Sequence, residues 1–326
     1  TIYESAIDLL DKKQYEAARK KFIEYRQNTH ADALHHIDAD YWQAHCAKQL
    51  MHPDLVQQLN THLDAFPHSP WYYDVHFDLG VYYFYIKNYD KAIEKLSNIP
   101  DNALAEPKLS EAQFKLAYSY FQGKQLDRAA PIFDNLKRKE NPYRAQVHYY
   151  TAYLNFKDGK YDAALADLNN AENDPQFEEH IPVLKANIYY RKKEYDKVIE
   201  IGEKATAGST KVQGLEELSL LVGECYFARK DYKNAADNLG RYLRSQKGNV
   251  PEPLLYRVAF AQYQTGYIDN ALNSFSKVAA KLDTAKGKKD TLGQYASYYL
   301  GDCYLRKNNK QFALAAFDVA SILDAD

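Results

Sequence analysis

The chain reads Gly80-Val81-Tyr82-Tyr83 and, after a short polar turn, Tyr89-Asp90-Lys91-Ala92. The same pattern recurs as Gly223-Glu224-Cys225-Tyr226 with Tyr232-Lys233-Asn234-Ala235, and as Gly301-Asp302-Cys303-Tyr304 with Ala313. In each copy, a small residue is followed three positions later by an aromatic residue and twelve positions later by alanine or a residue that replaces it. Nine such registers lie about 37 residues apart, and their second anchors are Ala18, Gln58, Ala92, Ala129, Ala164, Val198, Ala235, Ala271 and Ala313. This period predicts a solenoid whose repeats bury their apolar faces on one another.

Each repeat is predicted to be two helices joined by a polar turn. In the third repeat, one helical face is formed by residues at the spacing i, i+3, i+4 and i+7, namely His76, Leu79, Gly80 and Tyr83. The small residue lets the second helix approach closely, and Gly123 and Gly159 suit a left-handed stop in the turn. We therefore expect an all-α solenoid of about eighteen helices in one domain, with repeats at approximately 1–30, 31–68, 69–104, 105–140, 141–174, 175–209, 210–248, 249–286 and 287–326. The last linker, 283–290, is predicted to be the most mobile.

Composition narrows the classes of function. Apolar residues make up 46% of the 326 and charged residues 26%, as in a soluble, ordered chain. The net charge of −2 argues against nucleic acid as the main partner, because that binding needs clustered cations. No run approaches the ~18 consecutive apolar residues of a membrane span.

The two ends suggest that the chain is an excised part of a longer protein. Its only methionine is Met51, so residue 1 is no natural start. The last helix is expected to leave an apolar face uncovered, whereas solenoids normally end in a polar cap. Such an uncapped repeat offers a surface for self-association; its residues are Ala313, Phe317, Ala320 and Ile322.

The nine registers resemble the tetratricopeptide repeat family. That family has Trp, Leu, Gly and Tyr in the first helix, Ala, Phe and Ala in the second, and a proline at the break. Trp42 and Pro70 match two of these slots, and the third and ninth repeats supply Gly80, Tyr83, Ala92, Gly301, Tyr304, Ala313, Phe317 and Ala320. The resemblance covers essentially the whole chain. It implies a non-enzymatic binding scaffold, wound into a right-handed superhelix whose concave wall is formed by the first helices.

A narrower resemblance concerns the cellular location. Phe66-Pro67-His68-Ser69-Pro70, followed by an aromatic-rich helix, is similar to junctions in envelope repeat proteins of Gram-negative bacteria. Outer-membrane assembly lipoproteins and periplasmic coordinators of envelope constriction share this style, and the 30 tyrosines are consistent with it. The resemblance implies a periplasmic or cell-envelope location, with the cytoplasm as the alternative.

Aromatic residues are concentrated at the positions expected to face the concave wall. Three positions per first helix flank the core stripe, and in repeats three to five eight of these nine are aromatic. Tyrosine gives flat apolar contact plus a hydroxyl, which suits gripping a peptide or a partner helix. The alternative is that the rings only wedge neighbouring repeats together. The predicted groove consists of Phe77, Phe84, Phe114, Tyr118, Phe121, Tyr149, Tyr153, Phe156, Tyr190, Tyr256 and Tyr263.

Residues with reactive side chains point to structural roles. Cys46, Cys225 and Cys303 fit the repeat frame and are predicted to be buried free thiols. Eight of the ten histidines lie between His30 and His76, but their spacing matches no strong metal signature, so no metal or cofactor is expected. No phosphate-cradling, nucleophile-elbow or zinc-protease motif is present, and we expect no enzymatic activity.

Three functions remain open on the sequence. The first is a scaffold that holds protein partners of an envelope assembly along the aromatic groove. The second is a structural spacer or self-associating segment of a longer repeat protein. The third is a glycan- or cell-wall-binding module, since aromatic walls also stack on sugars. The Lys and Asn pair by which chaperone-binding members of the family hold a carboxylate is not reproduced, although Asn187 and Arg191 lie near that geometry.

Overall fold

The computed structural model describes residues 1–208, 212–281 and 290–323, and these residues form helices and turns without strands. The described helices are α1 Ile2–Asp11, α2 Tyr15–Gln27, α3 His36–Gln49, α4 Leu55–Ala65, α5 Tyr72–Tyr85, α6 Tyr89–Leu96, α7 Lys108–Gln122, α8 Leu126–Lys137, α9 Arg144–Lys157, α10 Tyr161–Ala171, α11 Ile181–Arg191, α12 Tyr195–Thr206, α13 Leu215–Ala228, α14 Tyr232–Ser245, α15 Glu252–Gln264, α16 Ile268–Ala279, α17 Thr291–Arg306 and α18 Lys310–Ile322. The all-α prediction is confirmed. Most of the last linker, residues 283–289, lies outside the described residues.

The chain divides into two compact units, Thr1–Leu154 (unit 1) and Asn155–Asp326 (unit 2). Within each unit, consecutive helices pack in pairs, such as α5 with α6 and α13 with α14. Odd-numbered helices are the first helices of their repeats, and even-numbered helices are the second. Each unit is thus an α-solenoid in which a repeat packs on its neighbours.

Close helix packing explains why the first anchor is small. A Cβ added to Gly80 would lie 2.4 Å from Leu96 Cγ, and one added to Gly223 would lie 2.7 Å from Leu239 Cγ. At Gly301 the same atom would lie 2.7 Å from Phe317 Cε1. Such distances are far below van der Waals contact, so a larger residue must push the second helix away. The predicted role of these glycines is confirmed.

The turn inside each repeat contains one left-handed residue, and the prediction for Gly123 is wrong. Gly123 has a φ of −75°, and the left-handed residue is the next one, Lys124, with a φ of 58°. Gly159 does adopt a positive φ. The left-handed turn residues are Lys13, Met51, Lys87, Lys124, Gly159, Lys193, Lys230, Gly266 and Asn308. Lysine at this position bears a steric strain that glycine does not.

The C-terminal helix corrects one expectation. Ala313 and Ala320 are buried, and Phe317 packs partly buried beneath Gly301. They face α17 because they carry the repeat frame, as their counterparts do in earlier repeats. Of the four residues expected to lie uncovered, only Ile322 is exposed, and the other exposed apolar side chains of α18 are Phe312 and Leu314.

The three cysteines are buried free thiols, as predicted. Burial raises the pKa of Cys46 and Cys303 to about 11 and that of Cys225 to about 12. These thiols therefore stay protonated at neutral pH, and a protonated buried thiol is a poor nucleophile. Within the described residues, no helix is both long and apolar enough to cross a membrane.

Candidate protein-binding surface

The predicted groove residues lie where first helices of neighbouring repeats meet, a contact that we call the first-helix seam. In unit 1, α5 packs against α7; in unit 2, α11 packs against α13 and α15 against α17. Seven of the eleven predicted residues belong to unit 1, and the other four, Phe156, Tyr190, Tyr256 and Tyr263, belong to unit 2. The two sets are therefore described separately.

In unit 1, the rings form a chain of edge-to-face contacts, which we call the aromatic ladder. Its members are Phe84, Tyr118, Phe121, Tyr150 and Tyr153. The Phe84 and Tyr118 ring centres are 5.4 Å apart, and those of Tyr118 and Tyr150 are 5.2 Å apart. Phe121 lies 5.1 Å from Tyr150 and 5.3 Å from Tyr153. These separations and tilts suit the ring quadrupoles, so the ladder joins α5, α7 and α9.

Burial divides the predicted unit 1 residues into two groups. Phe77 and Phe114 are only 4% and 8% exposed, and the Phe114 ring stacks on Tyr143 at 4.6 Å. These two rings belong to the packing between repeats and offer little surface to a partner, contrary to the prediction. The other five are half-buried; they are Phe84, Tyr118, Phe121, Tyr149 and Tyr153. A half-buried ring is held by the seam and still has part of its surface accessible.

The hydroxyls of Tyr89, Tyr149 and Tyr150 in unit 1 are neutral at physiological pH, because the pKa of each is raised. Burial, together with the Tyr153 phenol, raises the pKa of Tyr149. Burial and the nearby Tyr118 phenol raise the pKa of Tyr89 and, more strongly, that of Tyr150. A neutral phenol both donates and accepts hydrogen bonds, so these rings combine apolar contact with polar recognition.

Tyr85 is an accessible aromatic that the sequence analysis missed. Its side chain is 69% exposed and its ring contacts Phe84 at 5.8 Å. The ammonium nitrogen of Lys115 lies 4.4 Å from the ring centres of both residues, and 3.5 Å from a Glu111 carboxylate oxygen. Lys115 thereby fixes Tyr85 beside the ladder through cation–π attraction. Counting four positions per first helix, instead of three, would have found it.

In unit 2, two of the predicted residues contact the second helix of their own repeat. Phe156 packs on Tyr161 at 6.2 Å, and Tyr190 packs on Tyr195 at 6.0 Å. Burial, with a smaller contribution from the Glu224 carboxylate, raises the pKa of Tyr190. Both rings are half-buried.

The other two unit 2 residues lie at the seam of α15 and its neighbours. Tyr256 packs on Phe260 and Phe275, and burial raises its pKa to about 12. Tyr263 lies 5.0 Å from Tyr299. Its hydroxyl donates to Asp302 Oδ2 at 2.6 Å and accepts from Arg306 Nη2 at 2.8 Å. The Tyr263 hydroxyl is thus already engaged, which leaves it little capacity for a partner.

Polar pairs cross the seams of unit 2. The Asn187 amide donates to Glu217 Oε1 at 2.8 Å, and Arg257 Nε donates to Glu224 Oε1 at 2.9 Å. Because Glu217 engages the Asn187 amide, that residue is not free to hold a peptide carboxylate. This contact gives a structural reason why the carboxylate-binding pair of chaperone receptors is not reproduced here.

Among the described residues, no helix covers the outer side of α17 at the seam positions. Tyr298 and Leu305 are 54% and 46% exposed. Counted from the small residue Gly301, they occupy the positions that Phe77 and Phe84 occupy relative to Gly80. Phe77 and Phe84 are shielded by the next first helix, α7, whose Lys108 and Lys115 lie over them. The surface formed by Tyr298 and Leu305, which we call the α17 face, therefore resembles one side of a first-helix seam.

The histidine-rich part of unit 1 has a structural explanation. His62 Nδ1 lies 2.7 Å from Asp40 Oδ2, and His62 Nε2 lies 2.9 Å from Ser69 Oγ. Arg26 pairs with the second oxygen of Asp40 at 2.6 Å. The sequence offered no signal for this cluster, because its members come from four separate elements. No set of three metal-ligating side chains occurs in the described residues.

This cluster has the connectivity of a Ser-His-Asp triad but not its accessibility. His62 is fully buried, and Ser69 and Asp40 are nearly so. Ser69 Oγ also accepts a hydrogen bond from the Trp71 amide at 3.1 Å, at the start of α5. A nucleophile must reach a substrate and needs donors for the oxyanion, neither of which this arrangement provides. The cluster instead connects α2, α3, α4 and the junction before α5.

Comparisons with known proteins agree with this architecture. Residues 114–176 match the family described as tetratricopeptide repeat. The C-terminal part of a TPR repeat-containing protein from Cytophaga hutchinsonii is 18% identical, with a TM-score of 0.54 over 76% of this chain and 95% of that one. A tetratricopeptide repeat protein from Parabacteroides merdae is 15% identical, with a TM-score of 0.46 over 77% of this chain and 93% of that one. No curated protein matches the chain.

The paired helices and the seam define the class, an all-α helical-repeat protein. Within that class, residues 114–176 match the tetratricopeptide repeat family, and the likeness to the Cytophaga hutchinsonii structure shows that the chain has the fold of such repeats. Proteins of this kind generally act as protein–protein interaction scaffolds.

Proposed function

We propose that the chain is a non-enzymatic scaffold that binds an extended peptide or a helix of a partner protein. The site is the first-helix side of unit 1, along the aromatic ladder and Tyr85. The observation that carries the proposal is the ladder itself, a set of half-buried rings that the seam immobilises. Immobilised aromatics bind at a low entropic cost, and aromatic side chains dominate protein-binding hot spots.

The binding test must keep the rings in place. Alanine at Tyr118, Tyr149 or Tyr153 would open cavities in the seam and confuse loss of fold with loss of binding. Phenylalanine at all three keeps the rings and removes the hydroxyls, and Tyr85→Ala removes an exposed ring that contacts Phe84 and the Lys115 ammonium. Tyr267→Ala, at the N-cap of α16 in unit 2, is the control, because Tyr267 is an exposed tyrosine (41%) outside the proposed surface.

Peptides selected from a random displayed library on the full chain are the probes. We expect a selected peptide to bind Tyr85→Ala about tenfold more weakly than wild type, a loss of roughly 1.4 kcal/mol. The triple phenylalanine variant should show a smaller loss, and Tyr267→Ala none. Peptides that bind all variants equally would contradict the site. Selection of no peptide, with glycan binding in a parallel array, would favour the cell-wall alternative.

A periplasmic or cell-envelope location is part of the proposal. It is supported by the resemblance of the Phe66–Pro70 junction and by the tyrosine content of the chain. Fractionation of source cells, followed by immunoblotting of the native protein, tests it directly. Recovery in the periplasmic or membrane fraction is expected, and recovery only with cytoplasmic markers would overturn this part of the proposal.

We propose self-association as a second function, favoured by the α17 face. A second copy would cover Tyr298 and Leu305 with its own α17, which continues the seam that joins first helices within a unit. Tyr298→Glu with Leu305→Glu should shift a dimer to a monomer in analytical ultracentrifugation. Leu314→Glu on α18 is the control, since Leu314 is equally exposed. A wild-type chain that sediments as a monomer at every concentration would exclude this contact.

A further inference from the structure

We propose that unit 2 carries a phosphate-binding cleft on its second-helix side, between α14 and α16. This site is independent of the proposed peptide surface, which lies on the first helices of unit 1. A cavity of about 290 Å³ opens there. Its polar lining residues are Asp237, Arg241, Arg244, Gln262, Tyr267 and Asn270.

Two arginines contribute positive charge that the described protein does not neutralise. Neither Arg241 nor Arg244 makes an ion pair within the described residues, whereas Arg257 and Arg306 of the same unit each hold a carboxylate. Both unpaired arginines lie on α14, three residues apart, and both line the cavity. Like charges placed side by side repel each other, and a bound anion relieves that repulsion. Guanidinium groups suit phosphate because their fork matches two oxygens.

A further hydrogen-bond donor, the side-chain amide of Gln262, lines the same cavity. Gln262 is only 8% exposed, and its Oε1 accepts from Ser274 Oγ at 2.9 Å. Its Nε2 has no partner among the described residues, although Gln262 lines the cavity. This amide nitrogen is therefore a donor that is available to a ligand oxygen in the cavity.

The start of α16 adds to the attraction for an anion. Tyr267 is the N-cap of α16 and makes no side-chain hydrogen bond to the helix, and Asn270 lies in its first turn. Helix N-termini present free amide groups and the positive end of the helix dipole. The carboxylate of Asp269 in this turn is paired with Lys307 at 2.7 Å, which reduces its repulsion of an anion.

Gly240 lets the side chain of Arg244 lie close to the helix backbone. A Cβ at this position would lie 3.4 Å from Arg244 Nη1, so the guanidinium of Arg244 lies close over the glycine backbone. Asp237 is the one carboxylate in the lining, and it is exposed. Two arginines against one aspartate leave a net positive charge, and the helix terminus and the Gln262 amide add donors. The ligand class is therefore a phosphate group, either free or as a phosphate monoester.

The test is an NMR titration of the full chain at constant ionic strength, with inorganic phosphate in one arm and O-phosphoserine in the other. We expect saturable shifts of the Gln262 side-chain amide and the Asn270 backbone amide, with a Kd on the order of 1 mM. Tighter binding of O-phosphoserine would identify a phosphate ester as the ligand, and equal or weaker binding would identify free phosphate.

Arg241→Gln with Arg244→Gln should weaken binding at least about tenfold, because each guanidinium contact is charge-assisted. Arg241→Lys with Arg244→Lys keeps the positive charges but removes the two-pronged guanidinium hydrogen bonds, so an intermediate affinity is expected. Arg128→Gln in unit 1 is the control and should leave the titration unchanged. Shifts that never saturate, or that persist in the double glutamine variant with its helical circular dichroism intact, would overturn the proposal.

Discussion

The two units combine ring packing and polar pairs differently where their first helices meet. In unit 1, α5, α7 and α9 are joined by the aromatic ladder, in which ring packs on ring. In unit 2, polar pairs join α11 to α13 (Asn187 with Glu217) and α13 to α15 (Glu224 with Arg257), and the ring contact of Phe227 with Phe260 at 6.2 Å accompanies the second pair. The small residue and the alanine anchors define the same fold in both, so the seam is free to vary. That freedom is where a repeat protein can place a binding surface.

The buried polar clusters of the two units provide the largest test of this comparison. His62→Ala removes the group that links Asp40 to Ser69, and it leaves buried polar atoms without partners. We expect it to lower the free energy of unfolding by about 3–5 kcal/mol. Ser274→Ala removes one buried hydrogen bond in unit 2 and should cost about 1 kcal/mol. Hydrogen exchange that resolves the two units would measure both losses, and equal losses would contradict the comparison.

The seams themselves provide the second test. Phe84→Ala in unit 1 should destabilise the chain by roughly 3 kcal/mol, with no dependence on salt, because it removes a half-buried ring and its packing. Arg257→Gln in unit 2 breaks an ion pair that is partly exposed to solvent and should cost no more than about 1 kcal/mol. Urea denaturation at low and high salt separates the two, since salt should shrink only the Arg257 effect. A salt-sensitive Phe84→Ala would show that the ladder is not the main interaction there.

Acidification should weaken unit 1 before unit 2. Burial lowers the pKa of His36, His45 and His76, and neighbouring cations (Arg26 for His36, Lys48 and Lys108 for His45, Lys95 for His76) act in the same direction. Nearby carboxylates oppose this: Asp40 and Asp32 for His36, Asp78 for His45, Glu94 for His76.

The sign of the effect follows from proton binding. Below the unfolded pKa of 6.5, the unfolded chain takes up protons that the folded chain refuses, so stability is present above that pH and is lost as the pH falls through the lower folded values. Unit 2 contains a single histidine, His180. Hydrogen exchange between pH 7 and pH 5 should show amides of unit 1 losing protection first, and the reverse order would exclude this account.

The turn lysines give the smallest effect, and it should be equal in both units. Lys124→Gly in unit 1 and Lys193→Gly in unit 2 each relieve a left-handed backbone conformation. Relief of this strain should raise the free energy of unfolding by about 1 kcal/mol in each case. Glycine also makes the unfolded chain more flexible, which offsets part of that gain. Lys277→Gly, inside α16, is the control and should lower it by roughly 1 kcal/mol. Thermal unfolding measures all three, and stabilisation by the control would refute the strain argument.

The sequence was sufficient for the fold because the repeat frame is a local pattern. Gly80 and Ala92 show the required spacing directly, and so do their counterparts in the other repeats. The left-handed turn residue was predicted at Gly123, because glycine adopts that conformation most easily. The geometry of the turn instead places it one residue later, at Lys124. A lysine in that conformation carries no sequence signal of its own.

The candidate site was only partly predictable. The aromatic positions of the first helices were predicted from the sequence. However, the same positions can either pack at the seam between repeats or face a partner on the concave wall. Which of them stay accessible depends on the next helix, so the burial of Phe77 and Phe114 and the exposure of Tyr85 emerge only in three dimensions. The His62 cluster was invisible for the same reason: its partners are distant in the sequence.

The central claim is that a partner binds beside the aromatic ladder of unit 1, and photo-crosslinking tests it most directly. A benzoylphenylalanine in place of Tyr85, in the full chain, would be irradiated with a selected peptide, and the same residue in place of Tyr267 would serve as the control. The account predicts a covalent peptide adduct from position 85, with none from position 267, and competition by unlabelled peptide. Adducts from position 267 alone, or from both positions equally, would contradict it.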